Sequence, residues 1–227
     1  MKKNIIITGT SRGIGFCTAE LLAKMGHNLL CLSRNIISTE LLKLPNVMSL
    51  QVDLSCDKDF EKITHFVKHN WNKVDVLINN AGILINKPFS ELSPEDFVKT
   101  YQVNVFAVAR LVQIVLPFMK KDANVLNISS MGGVQGSVKF AGLAAYSSSK
   151  GALITLTELL AEEYKEQDIT FNVLALGAVQ TQMLQEAFPS LQVQTKPEQI
   201  AAYITDFVLE KYKLFNGKIL QVANSTP

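Results

Sequence analysis

The sequence has little excess charge of either sign. Its 22 Lys and Arg residues nearly balance 20 Asp and Glu residues, which leaves a formal net charge of +2. Such a small excess gives no broad electrostatic field for nucleic acid or an anionic membrane, so we expect neither as a partner. Any anion that the protein binds must be held by a local group of residues.

Cysteine is also scarce. Cys17, Cys31 and Cys56 are far apart and form no Cys-x-x-Cys pair or Cys/His cluster. This spacing argues against a structural zinc site and is typical of free thiols in a reducing compartment. His65 and His69 are four residues apart but have no third ligand nearby, so we expect a solvated pair and no bound metal.

Long apolar runs are missing. The N-terminus begins with two lysines, as signal peptides do, but its apolar run is interrupted at Thr8 and is too short for export. No apolar run approaches the roughly 20 residues that cross a bilayer. We therefore expect a cytoplasmic protein with no membrane association.

Short apolar runs alternate with longer amphipathic segments, such as the one in which Ile14, Cys17, Leu21 and Met25 follow helical spacing. Near-continuous apolar strands that alternate with helices indicate a parallel sheet covered on both faces. We predict one domain over residues 1–227, with a doubly wound, seven-stranded parallel sheet. The predicted strands are NIIIT (4–8), NLLCLS (28–33), VMSLQV (47–52), VDVLIN (74–79), NVLNIS (124–129), ITFNVLA (169–175) and KILQV (218–222).

Two helix starts carry chemical signals. Ser93 precedes a proline and two acids, which predicts a cap at that serine, and Thr195 with Glu198 has the spacing of a capping box.

A glycine cluster, TGTSRGIG, joins the first strand to the first helix. Glycines let the backbone approach a pyrophosphate, and the helix N-terminus offers unpaired N–H groups and a positive dipole end. The same cluster also fits an ordinary tight turn, but its position favours nucleotide binding. The candidate contacts are Thr8, Gly9, Ser11, Arg12, Gly13, Ile14 and Gly15.

The end of the second strand indicates which dinucleotide binds. NAD proteins of the doubly wound type place an acid there, whereas this chain has Ser33 and Arg34, and Arg12 lies in the glycine loop. An arginine fork matches a phosphate, so we predict NADP(H), with NAD(H) as the alternative if both arginines are merely solvated. Asp53, followed by Leu54, is predicted either to accept a hydrogen bond from the adenine amino group or to cap the next turn.

Tyr146 and Lys150, in YSSSK, share one face of a predicted helix. A tyrosine of pKa about 10 is a poor base at neutral pH unless a nearby cation stabilises its phenolate. Ser130 ends the fifth predicted strand, at the sheet edge where ligands bind. Asn104 lies between apolar neighbours, where an amide needs a partner.

The motifs TGTSRGIG, NNAG (79–82), Asn104, Ser130 and YSSSK occur in the order of the classical short-chain dehydrogenase/reductase family, which the chain resembles over almost its whole length. The resemblance implies that Tyr146 exchanges the proton and that Lys150 binds the nicotinamide ribose and lowers the tyrosine pKa. Ser130 would orient the carbonyl, and Asn104 would support a water relay.

The resemblance also implies a homodimer or homotetramer and extends the nucleotide site, whose further candidate residues are Asn80, Ala81, Gly82, Tyr146, Lys150, Gly177, Val179 and Thr181.

The chain departs from the family pattern in three places. Ser130 and Tyr146 are 16 residues apart (146 − 130), more than is common, so the intervening segment is expected to shift the serine or to bulge outward. Leu176 replaces the usual proline before Gly177, and LQVANSTP lacks a glycine-rich ending. The substrate loop, about 182–194, is short, and its apolar residues form either a lid or one face of a short packed helix.

We therefore expect an NADP(H)-dependent oxidoreductase that interconverts a small carbonyl compound and its alcohol. Two alternatives remain from the sequence: an NAD-linked dehydrogenase of the same fold, and a binding protein that senses redox state through bound NADPH.

Overall fold

The computed structural model describes residues 1–35 and 39–223. Seven parallel strands form one sheet, as the sequence predicts, and their order is β3-β2-β1-β4-β5-β6-β7. Their bounds are Asn4–Thr8 (β1), Asn28–Ser33 (β2), Val47–Gln51 (β3), Val74–Asn79 (β4), Met119–Ser130 (β5), Thr170–Leu176 (β6) and Ile219–Val222 (β7).

Helices connect the strands on both faces of the sheet. They are Gly13–Lys24 (α1), Thr39–Leu42 (α2), Asp57–Phe66 (α3), Pro94–Tyr101 (α4), Ala107–Val115 (α5), Ala144–Glu163 (α6), Gln182–Ala187 (α7) and Pro197–Leu209 (α8). A π-helical segment, Gln102–Phe106, joins α4 to α5.

The strand order reverses between β1 and β4. The chain builds the sheet outward from β1 through β2 to β3, then returns to pair β4 with the free side of β1. In doubly wound sheets, ligands bind outside the carboxyl ends of the strands at such a reversal. The glycine loop after β1 and the NNAG segment after β4 meet at this point.

Buried strands pack on both faces. Ile5 and Ile7 of β1 belong to a core cluster with Leu22 of α1 and Phe207 of α8. Ile6, between them, belongs to a second cluster that contains residues of α3 and α5. All three isoleucines have no exposed surface, which explains why the strand is apolar without alternation.

Several boundaries differ from the predictions: β3, β6 and β7 by one residue at one or both ends, and β5 at both ends. Two of the starts, those of β5 and α8, have a clear structural reason. β5 begins at Met119, not at residue 124, because Met119 pairs with Val74, beyond a register shift in the pairing of the two strands. The residues that follow Met119 are polar, so the sequence does not indicate a strand there. The cap of α8 is Lys196, not Thr195: Pro197 takes the first helical position, and the Lys196 amide donates to Gln199 Oε1 at 2.8 Å. The cap at Ser93 is confirmed, with reciprocal bonds to Asp96.

One described helical stretch, Pro94–Phe118, reaches the length and apolar character of a membrane span, with 25 residues and a mean hydropathy of 1.4. Core helices of water-soluble proteins pass the same test. Leu111 and Val112 of this stretch are buried in the second core cluster, and Asn104 bonds to Ser149 of α6. Packing against the rest of the molecule accounts for these buried residues, while Val98 and Phe106 of the same stretch are exposed.

Candidate active site

The glycine loop and the NNAG segment are fastened together by four hydrogen bonds. Thr8 Oγ1 accepts from the amides of Asn80 at 3.0 Å and Ala81 at 2.9 Å. Asn80 Nδ2 donates to the carbonyls of Thr8 at 3.0 Å and Gly9 at 3.2 Å. A Cβ on Gly15 would lie 2.3 Å from the Gly9 oxygen, so only glycine fits there. The two predicted nucleotide motifs therefore form one unit.

The N-terminus of α1 is available for an anion. In the described structure the N-cap residue, Arg12, makes no side-chain bond to the helix, and the first turn contains no acid. The first amides of a helix carry partial positive charge and need acceptors. The close approach at Gly15 and this open helix end fit the pyrophosphate of a dinucleotide.

The end of β2 lies beside the glycine loop, because the Gly9 amide donates to the Leu32 carbonyl at 2.8 Å. Ser33 is buried and Arg34 is exposed. The loop that contains Arg12 thus adjoins the strand end that precedes Arg34, and Ser33 occupies this strand end in place of an acid. This arrangement fits an adenosine phosphate, although Arg12 also has a protein partner, Glu186.

Asp53 acts as a turn cap in the described structure. Its Oδ1 accepts from the amide and the hydroxyl of Ser55, at 2.9 and 2.7 Å. These hydrogen bonds hold the pKa of the Asp53 carboxyl below its usual value. The turn cap, one of the two roles predicted for Asp53, is therefore observed, while the adenine contacts of Asp53 and Leu54 stay a prediction.

Lys150 lies inside the protein, with 4% of its surface exposed. Its Nζ donates to the Ile128 carbonyl at 2.8 Å and lies 5.8 Å from the centre of the Tyr146 ring. Burial lowers the pKa of Lys150 to about 8, because the charged form loses hydration. A Cβ on Gly82 would come within 3.4 Å of Nζ, so the NNAG segment passes next to the lysine.

Tyr146 is partly buried and faces Ser130. Burial raises the pKa of the tyrosine, and a hydrogen bond with Ser130 acts in the opposite direction. The structure thus brings Ser130, Tyr146 and Lys150 together as the sequence predicts. It does not show the predicted lowering of the tyrosine pKa by Lys150: burial dominates, and the effect of the lysine stays a prediction.

Asn104 occupies the π-helical segment and is completely buried. Its Oδ1 accepts from the Ile83 amide at 2.9 Å, and its Nδ2 donates to the Ile83 carbonyl at 3.0 Å and to Ser149 Oγ at 2.9 Å. The extra residue in the π turn aims this amide at the NNAG segment. Asn104 therefore ties α6 to that segment, and its role in a water relay stays a prediction.

The long segment between Ser130 and Tyr146 bulges outward. Residues 138–141 are exposed, while the contact between Ser130 and Tyr146 is retained. The Gly142 carbonyl accepts from the Lys87 amide at 3.1 Å, which joins the segment to the loop after β4. The exposure agrees with the expected outward bulge, and whether the insertion shifts the serine stays a prediction.

The predicted nicotinamide contacts follow β6. The Gly177 amide donates to the Val222 carbonyl at 3.0 Å, Val179 is buried, and Thr181 Oγ1 caps α7 by accepting from the Leu184 amide at 3.2 Å. A Cβ on Gly13 would lie 3.7 Å from Thr181 Cγ2, so Thr181 faces the glycine loop. Residues 224–227 lie outside the described residues, and with them half of the tail LQVANSTP, in which the sequence departs from the family pattern.

The substrate segment contains a short helix, α7, but the helix does not pack into the core. Within α7, which is described completely, no residue is buried. Sequence reasoning missed its polar anchors: Glu186 pairs with Arg12, and Asn86 Nδ2 donates to the Ala187 carbonyl at 2.8 Å. The partners are 174 and 101 residues apart in sequence, so no local pattern signals them.

Among residues 1–35 and 39–223 no group of three or more His, Cys, Asp or Glu side chains is placed to hold a metal ion. His65 and His69 stack on each other, with ring centres 4.1 Å apart.

The fold and the site together define a doubly wound dinucleotide-binding protein with a Ser, Tyr and Lys group at the cleft. The family model for short chain dehydrogenases matches residues 3–192. The chain belongs to the short-chain dehydrogenase/reductase family and is an NAD(P)-dependent oxidoreductase.

Curated relatives agree with this assignment. Oxidoreductase UcpA of Salmonella typhimurium is 31% identical over 217 residues, covering 90% of this chain and 78% of the relative. The 3-oxoacyl-[acyl-carrier-protein] reductase FabG of Thermotoga maritima is 28% identical, covering 97% of this chain and 96% of the relative.

Solved structures of the family hold both nicotinamide cofactors. A 4-hydroxyisoleucine dehydrogenase complexed with NADH superposes with a TM-score of 0.88 at 25% identity, covering 99% of this chain and 98% of the other. A short chain dehydrogenase from Burkholderia cenocepacia in complex with NADP gives a TM-score of 0.86 at 25% identity, covering 99% and 97%.

Proposed function

We propose that the protein interconverts a small carbonyl compound and its alcohol, with NADP(H) as the preferred cofactor and Tyr146 as the acid or base. The observation that carries this proposal is the grouping of Ser130, Tyr146 and buried Lys150 at the carboxyl edge of β5. Such a group can place a proton donor and a hydrogen-bond donor on one substrate oxygen.

The bound nicotinamide would supply or accept the hydride at the substrate carbon. In reduction, Tyr146 gives its hydroxyl proton to the carbonyl oxygen, and Ser130 donates a hydrogen bond that fixes this oxygen. Lys150 lies 5.8 Å from the tyrosine ring centre, where its positive charge stabilises the phenolate that remains. In oxidation Tyr146 removes the alcohol proton by the reverse step.

The preference for NADP(H) is supported by the cations at the adenosine end. Arg34 follows β2 and Arg12 caps α1, while Ser33 stands where an acid would repel a phosphate. Arg12, Arg34 and the α1 amides would hold the phosphates, and Lys150 with Tyr146 would bind the nicotinamide ribose. The structure of the Burkholderia relative in complex with NADP adds support.

The test follows the absorbance of NADPH and NADH separately against aldehydes, ketones, quinones and 3-oxo esters. We expect oxidation of NADPH by one of these classes, and a fall of about 100- to 10,000-fold in turnover for Tyr146→Phe with NADPH affinity retained. Tyr164→Phe is the matched control, because Tyr164 packs on Phe171 with ring centres 5.8 Å apart and lies at the other end of α6. Near-normal turnover in Tyr146→Phe would refute the assigned role.

Binding of NADPH without hydride transfer to any of the carbonyls would instead favour the redox-sensing protein that the sequence left open. A preference for NADH in both affinity and turnover would favour the NAD-linked dehydrogenase.

A further inference from the structure

The C-terminal end of helix α7 makes polar contacts with two other segments, the glycine loop and the loop after β4. The Arg12 guanidinium forms a bidentate ion pair with Glu186, with N–O distances of 3.1 and 3.4 Å. Asn86, in the loop after β4, donates a hydrogen bond from Nδ2 to the Ala187 carbonyl at 2.8 Å. The backbone of Lys87, the next residue, is in turn joined to Gly142 in the wall that precedes Tyr146. The helix is thus linked directly to the glycine loop, and through residues 86 and 87 to the segment before Tyr146.

Arg12 also lies where the nucleotide phosphates are proposed to bind. It is the N-cap of α1, and the adjoining glycine loop is bonded to the end of β2 through Gly9 and Leu32. A guanidinium fork can bind a carboxylate or a phosphate with the same pair of N–H groups. While the N–H groups of Arg12 bind the Glu186 carboxylate, the same N–H groups therefore cannot bind a phosphate.

We propose that Glu186 competes with the 2′-phosphate of NADP(H) for Arg12, which makes Glu186 a specificity-determining residue and a latch on α7. The inference rests on the proposed NADP(H) function. With the phosphate on Arg12, the ion pair is broken and α7 is held by Asn86 alone; with NAD(H), the ion pair persists and α7 stays closed across the cleft.

The exposure of the pair makes such an exchange easy. The side chains of Arg12 and Glu186 are 49% and 54% exposed, so the pair is weak and readily opened. No residue of the completely described α7 is buried, and segments with few buried contacts open at low cost. A phosphate carries more negative charge than a carboxylate and displaces it from the same fork.

The first experiment measures affinity for two adenosine fragments, so that the nicotinamide plays no part. Wild type and Glu186→Gln are titrated calorimetrically with adenosine 2′,5′-bisphosphate and with adenosine 5′-monophosphate. We expect Glu186→Gln to bind the bisphosphate about two- to fivefold more tightly, as loss of a weak competing ion pair predicts, with the monophosphate affinity unchanged.

Glu162→Gln is the matched control. Glu162 is also an exposed glutamate paired with one cation, Lys165, but it lies near the far end of α6. It should change neither affinity. An equal change for both fragments in Glu186→Gln, or no change for either, would overturn the competition.

The second experiment follows hydrogen exchange of the peptide that covers residues 182–189, with each fragment at saturation. In wild type we expect faster exchange with the bisphosphate than with the monophosphate, because only the bisphosphate releases Glu186. In Glu186→Gln the two rates should be equal. Equal rates in wild type would refute the latch.

These experiments distinguish a failure of the NADP(H) assignment from a failure of the latch. If wild type binds the bisphosphate no more tightly than the monophosphate, and Arg34→Ala changes neither affinity, the NADP(H) assignment fails and the latch fails with it. If wild type and Arg34→Ala behave as an NADP(H) site requires while Glu186→Gln leaves the preference unchanged, only the latch is wrong.

Discussion

The two walls of the candidate site are built in opposite ways. The catalytic wall, formed by the end of β5 and the start of α6, is fixed by buried polar contacts: Lys150 Nζ donates to Ile128, Ser129 Oγ donates to the Lys150 carbonyl at 2.9 Å, and Ser149 is bonded to Asn104. Helix α7, across the cleft, has exposed contacts to Arg12 and Asn86.

This contrast suggests that proton transfer and substrate recognition depend on different parts of the site. A proton donor must be held within a fraction of an ångström of its productive position, which requires packed and fully bonded surroundings. A substrate segment must let ligands in and out, so it belongs to the least stable part of the molecule. The family chemistry is therefore expected to depend on the buried wall, and the identity of the substrate on the exposed one.

The largest expected effect comes from crowding the buried wall. A Cβ on Gly133 would lie 2.6 Å from the Lys150 carbonyl carbon and 2.7 Å from the Gly151 amide nitrogen, and neither backbone atom can move without shifting α6. We expect Gly133→Ala to lose roughly 3 kcal/mol of stability and most turnover, as measured by urea unfolding and by the nicotinamide assay.

Gly136→Ala in the outward bulge is the matched control. Among the described residues nothing lies within 4 Å of a Cβ there, but the positive φ of 79° strains alanine. A loss of about 1 kcal/mol is expected. Equal losses in the two variants would mean that the close contacts at Gly133 do not constrain the buried wall.

The next test removes one asparagine anchor from each wall. Asn104→Ala deletes three hydrogen bonds of a fully buried side chain, so we expect a loss of roughly 2 kcal/mol. Asn86→Ala deletes one exposed bond to α7 and should cost well under about 1 kcal/mol. Thermal unfolding of both variants measures the difference, and a larger loss for Asn86→Ala would reverse the ranking of the walls.

The last test concerns the pH dependence of stability that the buried lysine causes. Because the pKa of Lys150 falls from 10.5 to about 8 on folding, the unfolded chain binds more protons between these values. Stability attributable to Lys150 therefore rises with pH through that window. Relative to Lys150→Met, wild type should gain about 2 kcal/mol between pH of about 7 and about 9.5.

Urea unfolding of both proteins at the two pH values provides the measurement, since other titrating groups cancel in the difference. If the difference in unfolding free energy between wild type and Lys150→Met is constant with pH, Lys150 keeps its ordinary pKa and is hydrated in solution.

Much of the architecture could be predicted because its signals are local. β1, β2 and β4 have the predicted bounds, and the order of glycine loop, NNAG, Ser130 and YSSSK identifies the family. Predictions failed where the signal was long-range or absent. The start of β5 depends on pairing with Val74, and nothing in QVNVF signals the π turn that aims Asn104.

The sequence by itself determined the class of fold and the family, and it predicted that Ser130, Tyr146 and Lys150 lie together, since periodicity and short motifs depend on neighbours in the chain. Only the tertiary structure decided that residues 138–141 of the long insertion are exposed, that burial brings the Lys150 pKa to about 8, and that Glu186 reaches Arg12. Exposure, desolvation and ion pairing arise between segments brought together by folding, so they have no local pattern in the sequence.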